Sequence, residues 1–381
     1  MIDPDSFDNF ANRSSSKWRR FPSEVLPMHV AEMDFEVAEP IRKKLQAMVA
    51  SSDLGYLGPL PEITPAFAGF ADKRWGWAID PLGLKMATDV GVAAVEILRA
   101  VTSPGERVLI NSPVYAAFFN WISEVGAVAV DAPLKLVGSR FTLDLGAIEE
   151  QFRAGVKVYL LCSPQNPVGT VHTAQELAEV ARLASEHGVL VISDEIHAPL
   201  SWVPFTPYLA VSELAEQTGV TITSSSKAWN TAGLKAGFAI TQSAQVRARL
   251  KNLPEAMQWR SSILGAFAMV EAFENGSPWL DQTVAILQQR LAHLHRELVE
   301  KLPKAKVFDM ESTYLAWIDL SEYKVTDPQK VILEHGKVAL VPGRDHGGEN
   351  YQGFVRFNFA SSEARISEAV RRMASALEGD K

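Results

Sequence analysis

The chain has 381 residues, 47% of them hydrophobic and 22% charged, enough to bury a substantial core in two domains or in one elaborated domain. A net charge of −8 with no basic run argues against a nucleic-acid partner, and no uncharged apolar stretch approaches the ~20 residues of a membrane span. One cysteine, Cys162, excludes an intrachain disulfide framework, and the N-terminus lacks a charged-then-apolar leader, so the expected location is the cytoplasm.

Residues 1–27 are polar, broken by Pro4, Pro22 and Pro27, and read as an arm. The apolar segment Met28–Phe35 follows, carrying Glu32 and Asp34. Pro40 opens a helix to about Ala50, because proline is favoured in a first turn. Gly55–Pro59 is a turn carrying Tyr56. From about residue 62 helices and strands alternate. Helical patterns cover Ile63–Trp75, Val92–Val101, Ala116–Glu124 and Ala174–His187. Strand patterns cover Leu84–Asp89, Val108–Ile110, Ala127–Val130, Val156–Leu161, Val189–Ser193 and Val220–Thr223. This alternation argues for a mainly parallel sheet with helices on both faces. Residues 244–300 read as helical, with Leu291–Leu302 amphipathic. Short strands at Val307–Phe308, Tyr314–Asp319, Val338–Val341 and Phe354–Phe359 suggest a second, smaller sheet. Helices at Pro328–His335 and Ser362–Leu377 accompany it. The expected division is 1–45 as arm and part of a small domain, 46–280 as a large domain, and 281–381 as the small C-terminal domain.

In such sheets ligands gather beyond the carboxyl ends of the strands. Tyr115, Asn166, Asp194 and Lys227 each follow a predicted strand. Lys227 closes the run Ser224-Ser225-Ser226-Lys227, which taken alone is equally a surface loop. At the end of a buried strand, desolvation and neighbouring charge lower a lysine's pKa, so its amine can condense with an aldehyde. Serine hydroxyls and loop N–H groups suit an anion such as a phosphate. The strand–glycine–helix junction at Gly91 offers more such N–H groups. A Schiff-base lysine beside a phosphate cradle is what pyridoxal 5′-phosphate (PLP) requires. His293 and His295 lie two apart on a helix and do not face one another, so no metal site is expected.

Four motifs carry a resemblance. They are Ser163-Pro164-Gln165-Asn166-Pro167-Val168-Gly169, Ser193-Asp194-Glu195-Ile196-His197, Ser224–Lys227 and Val355-Arg356-Phe357-Asn358. Their order and spacing resemble the fold-type I PLP enzymes, the class I/II aminotransferase group. Met28–Phe35, Gly76–Pro81 and Pro113-Val114-Tyr115 narrow the likeness to the MalY/PatB-type cystathionine β-lyases, or C–S lyases, over nearly the whole chain. The resemblance implies an aspartate aminotransferase-like α/β fold with a large, mainly parallel sheet flanked by helices and a smaller α/β C-terminal domain.

It also implies roles. Lys227 would carry the cofactor and act as catalytic base. Asp194 would pair with the pyridine nitrogen, Asn166 and His197 would reach the ring O3′, and Tyr115 would stack on the ring. The N–H groups of Val92 and Ala93, with the hydroxyls of Ser224 and Ser226, would hold the phosphate. Lys235 stands where many relatives carry arginine; it keeps the charge without the bidentate fork. Arg356 would grip the substrate α-carboxylate. His346 is expected at the substrate mouth. Tyr56 matches a tyrosine that reaches the partner subunit's phosphate, which implies a homodimer. The implied reaction is β-elimination from cystathionine or a related L-cysteine S-conjugate, giving a thiol, pyruvate and ammonia. An aminotransferase shares nearly all of these motifs. A regulatory or binding protein on the same fold is the alternative outside catalysis.

Overall fold

Runs of Val, Leu and Ile that are apolar on both faces belong in the middle of a sheet covered by helices on each side. Val158–Cys162, Leu190–Asp194 and Gly219–Thr223 are such runs, buried at every position. The computed structural model describes Ile2 and residues 12–379, so residues 3–11 of the expected arm lie outside the described residues. The three runs are neighbours at the centre of a seven-stranded sheet. Its order is Leu84–Ala87, Gly237–Ile240, Gly219–Thr223, Leu190–Asp194, Val158–Cys162, Arg107–Ile110, Val128–Asp131. The strands from Gly219–Thr223 to Val128–Asp131 are parallel to one another. Gly237–Ile240, which the strand pattern did not single out, is antiparallel to both of its neighbours.

A four-stranded antiparallel sheet, Lys306–Val307, Leu315–Asp319, Phe354–Asn358, Val341–Pro342, forms the second layer system. The expected strand Val338–Val341 divides in two. Val338–Ala339 pairs instead with Leu26–Pro27, which ties the N-terminal region to this part of the chain. The helix Ser277–Lys301 runs between the two sheets in sequence and carries residues 280 and 281 within it. A hairpin of Lys135–Val137 with Arg140–Thr142 and the helix Leu145–Arg153 add to the expected elements.

Two local features place the site. The helix expected at Val92–Val101 begins at Val90, because the Asp89 side chain caps it by accepting from the Val92 N–H at 2.8 Å. The loop around Lys227 is anchored from behind. Trp229 is fully buried, donates to the Gly276 carbonyl at 3.0 Å, and packs edge-on against Phe70 and Phe273. Gly265 lets the helix Ile263–Asn275 press on the same loop, since a Cβ there would sit 2.0 Å from the Leu234 carbonyl oxygen.

Candidate active site

A cavity of about 540 Å³ opens beyond the carboxyl ends of the central strands. Asp194 is the last residue of Leu190–Asp194, Asn166 follows Val158–Cys162, and Lys227 follows Gly219–Thr223, so parallel strands deliver all three to one rim. Gln165 fastens the neighbouring loops together, donating through Nε2 to the carbonyls of Asn111 and Pro113 at 3.0 and 2.9 Å. Tyr115 follows Pro113 into the cavity wall, with its ring edge-on to Trp121.

The electrostatics come from burial. Desolvation, reinforced by the Arg356 charge, lowers the Lys227 amine to about 8. Its Nζ donates to the Ala31 carbonyl at 3.2 Å. Burial pushes the Asp194 carboxyl up to about 7, opposed by the Ile196 N–H that it accepts at 3.1 Å and by Lys227. His197 is buried beside Lys227 with Nδ1 unbonded, and burial with the two nearby cations holds it well below the usual imidazole range. It is therefore a neutral ring at neutral pH.

Arg356 reaches the same region from the small sheet. One terminal nitrogen donates to Asn166 Oδ1 at 3.3 Å and the other to the His29 carbonyl at 3.1 Å, while Nε has no partner. No carboxylate lies within ion-pair distance of this buried guanidinium among the described residues. A buried cation left without a counter-ion is costly, and an incoming carboxylate relieves that cost.

At the opposite end the helix Val90–Val101 points its N-terminus into the cavity. The expectation named the N–H groups of Val92 and Ala93. Both are bonded to Asp89, to its carboxylate and its carbonyl respectively, and Ala93 is buried away from the cavity. Val90, Gly91 and Val92 all line the cavity, and the first-turn N–H groups of Val90 and Gly91 have no intrahelical acceptor. Ser226 also lines it. Ser224 lies beneath, its hydroxyl donating to the Ala236 carbonyl at 2.6 Å and accepting from the Ser226 N–H at 3.0 Å. Lys235 stands at the cavity, paired with Asp89 at 2.9 Å.

Two residues named from the sequence are not on this cavity's wall. His346 is fully buried, bonded through Nδ1 to the Val114 carbonyl at 2.8 Å and edge-on to Trp317, so it does not form the substrate mouth. Tyr56 is 89% exposed and is not part of this chain's cavity wall.

Sequence reasoning missed the strap that closes one side. Asn358 Nδ2 donates to the carbonyls of Val30 and Glu32 at 2.6 and 2.7 Å, Asn230 bonds Met33 through both its amide atoms, and the Tyr314 hydroxyl donates to the Ala31 carbonyl at 3.1 Å. These bonds hold Ala31 against Lys227. Asp89-Val90-Gly91 left a readable signal, a capping carboxylate before an apolar helical run.

The donor set fits a group with an anionic end, an electrophilic carbon and a basic ring nitrogen. Unbonded helix N–H groups and Lys235 lie at one end, a buried carboxylate at the other, and a weakly basic amine between them.

The chain belongs to the family described as aminotransferase class I and II, which matches residues 24–373. A Mycobacterium tuberculosis protein provisionally named cystathionine β-lyase is 38% identical, with 96% of this chain and 95% of that one aligned. Cystathionine β-lyase of Corynebacterium glutamicum is 35% identical over 97% of this chain and 98% of its own. Among solved structures, PLP-containing cystalysin from Treponema denticola superposes with a TM-score of 0.93 at 25% identity, covering 99% of both chains.

Proposed function

We propose that this protein is a PLP-dependent carbon–sulfur β-lyase that cleaves cystathionine or a related L-cysteine S-conjugate to a thiol, pyruvate and ammonia. The observation that carries the site is the buried, uncompensated Arg356 beside a weakly basic Lys227 and a buried Asp194. The choice of elimination over amino transfer rests on the names of the relatives.

Bound PLP supplies an electron sink for the pair left when a bond at Cα breaks. Arg356 would bind the substrate α-carboxylate and so fix which Cα bond faces Lys227. Lys227 would hold the cofactor at rest and, once released, take the Cα proton on Nζ. Its lowered pKa leaves a useful fraction of neutral amine near neutral pH. Asp194, ionised opposite a protonated ring nitrogen, would keep that proton in place. Asn166 and His197 would bond the ring oxygen, and Tyr115 would cover the ring face. The Val90 and Gly91 N–H groups, Ser226 and Lys235 would hold the phosphate. The C–S bond then breaks with its electron pair leaving on sulfur, and one water accounts for conversion of the remainder to pyruvate and ammonium. We place the cofactor in the unit built on the seven-stranded sheet, with Arg356 contributed by the C-terminal one.

The working form is a homodimer in which Tyr56 reaches the phosphate of the other subunit. Its support is the exposure of Tyr56, a large aromatic ring left in water on a single chain, with Leu54 two residues away also exposed. Incubation with cystathionine and no 2-oxo acid tests the reaction. Release of pyruvate and thiol in equal amounts is expected. Turnover that requires an added 2-oxo acid would replace this reading with an aminotransferase.

A further inference from the structure

The phosphate end of the cavity already contains an anion of the protein's own. Asp89 accepts from the Val92 N–H at 2.8 Å with one carboxylate oxygen and pairs with Lys235 Nζ at 2.9 Å through the other. It lines the cavity with Val90 and Gly91, the residues whose N–H groups are left for a ligand. Gly237 permits this closeness, since a Cβ there would stand 3.2 Å from both Asp89 C and Val90 N. Lys235 is held in place by its backbone: it has a left-handed φ of 54°, and its carbonyl accepts from the Ser262 N–H. Among the described residues Lys235 is the ion-pair partner of Asp89, Glu96 and Glu124 are both paired with Arg99, and Lys227 and Arg260 are the other cations on the wall.

We propose that Asp89 is a positioning residue that sets the cofactor's phosphate affinity, by sharing Lys235 and the helix N-terminus with the incoming dianion and so keeping PLP exchangeable. A carboxylate and a phosphate drawing on one ammonium and one helix dipole repel each other across a few ångströms. Lys235 therefore neutralises the phosphate only in part. Pyridoxal shares the ring with PLP and lacks the phosphate, so comparing the two isolates the part of the effect that belongs to the phosphate.

This inference rests on the PLP reading above, and the test separates the two. Asp89→Asn and Asp89→Ser both retain a capping acceptor and remove the charge. Apoprotein of each is titrated with PLP and with pyridoxal, which lacks the phosphate, following the absorbance change on covalent capture. Both variants should bind PLP about tenfold or more tighter than wild type, with pyridoxal affinity unchanged. Lys235→Met should weaken PLP binding by a larger factor in the Asp89→Asn background than in wild type, because its charge is no longer shared. Unchanged or weaker PLP binding, or equal tightening toward pyridoxal, overturns the proposal. Wild-type protein that captures neither aldehyde overturns the cofactor reading itself.

Discussion

Two cations, Lys227 and Arg356, share one buried region; the guanidinium makes the amine less basic, and burial makes the guanidinium itself less basic. Burial and the guanidinium together bring Lys227 from an ordinary 10.5 to about 8. The neutral amine fraction rises with pH, so the rate of covalent PLP capture by apoprotein should climb and level off above about pH 8. A rise continuing to pH 10 would show an unshifted lysine. The sign for stability follows from the same shift. The unfolded chain binds the extra proton between pH 8 and 10.5, so this group makes the apoprotein gain stability as pH rises through that window. Arg356 is tested by Arg356→Lys, which keeps the charge and loses the planar fork. One charged hydrogen bond is worth about 1.5–3 kcal/mol, so apparent substrate affinity should fall about ten- to a hundredfold. Loss of PLP binding with substrate affinity unchanged would remove Arg356 from the substrate site.

The segment 28–35 is an element without regular structure, held by side chains reaching from the small sheet and from the loop that carries Lys227. Backbone carbonyls there need donors as strictly as those in a helix do. Asn358 serves two of them through Nδ2 and accepts from the Ala360 N–H through Oδ1, so it replaces a missing strand neighbour. Asn358→Ala removes one donor from each of the Val30 and Glu32 carbonyls, which keep the Glu32 N–H and Lys17 Nζ respectively, so each lost hydrogen bond costs about 0.5–1.5 kcal/mol. Denaturant unfolding should show a loss of about 1–3 kcal/mol. Because the Ala31 carbonyl that receives Lys227 lies between them, turnover should fall as well. A variant with wild-type unfolding would mean that the strap is held by its other partners, Arg13, Lys17, Tyr314 and Asn230 among them.

At the scale of the whole molecule, the proposed homodimer is tested through Tyr56. Within one chain its ring is in solvent and outside the cavity. If it serves the partner's phosphate, Tyr56→Phe subunits mixed with Lys227→Ala subunits should regain activity. One site of each mixed dimer would then carry both lesions and the other neither. Activity should exceed that of either parent once subunit exchange is demonstrated. Absence of recovery, with a clear defect in each parent, would place Tyr56 in its own subunit's site or outside the site.

The parallel core strands and the positions of Asn166, Asp194 and Lys227 were legible along the chain. Each residue follows a buried run, and a parallel sheet sends such strand ends to one side. Arg356 was legible only through its motif, since nothing in an alternating strand says which cavity it faces. The helix that begins beside the cavity was read two residues late. A helix start depends on whether Asp89 folds back onto the Val92 N–H, and hydrophobic periodicity does not record that bond. Gly237–Ile240, short and opened by glycine, left little pattern to read, and its antiparallel direction is set by its neighbours on both sides. The meeting of Ala31 with Lys227, of Asp89 with Lys235, and of Arg356 with Asn166 joins residues more than a hundred positions apart. Local propensity acts over a few residues, whereas these contacts exist only because packing of the two sheets and the strap brings distant backbone together.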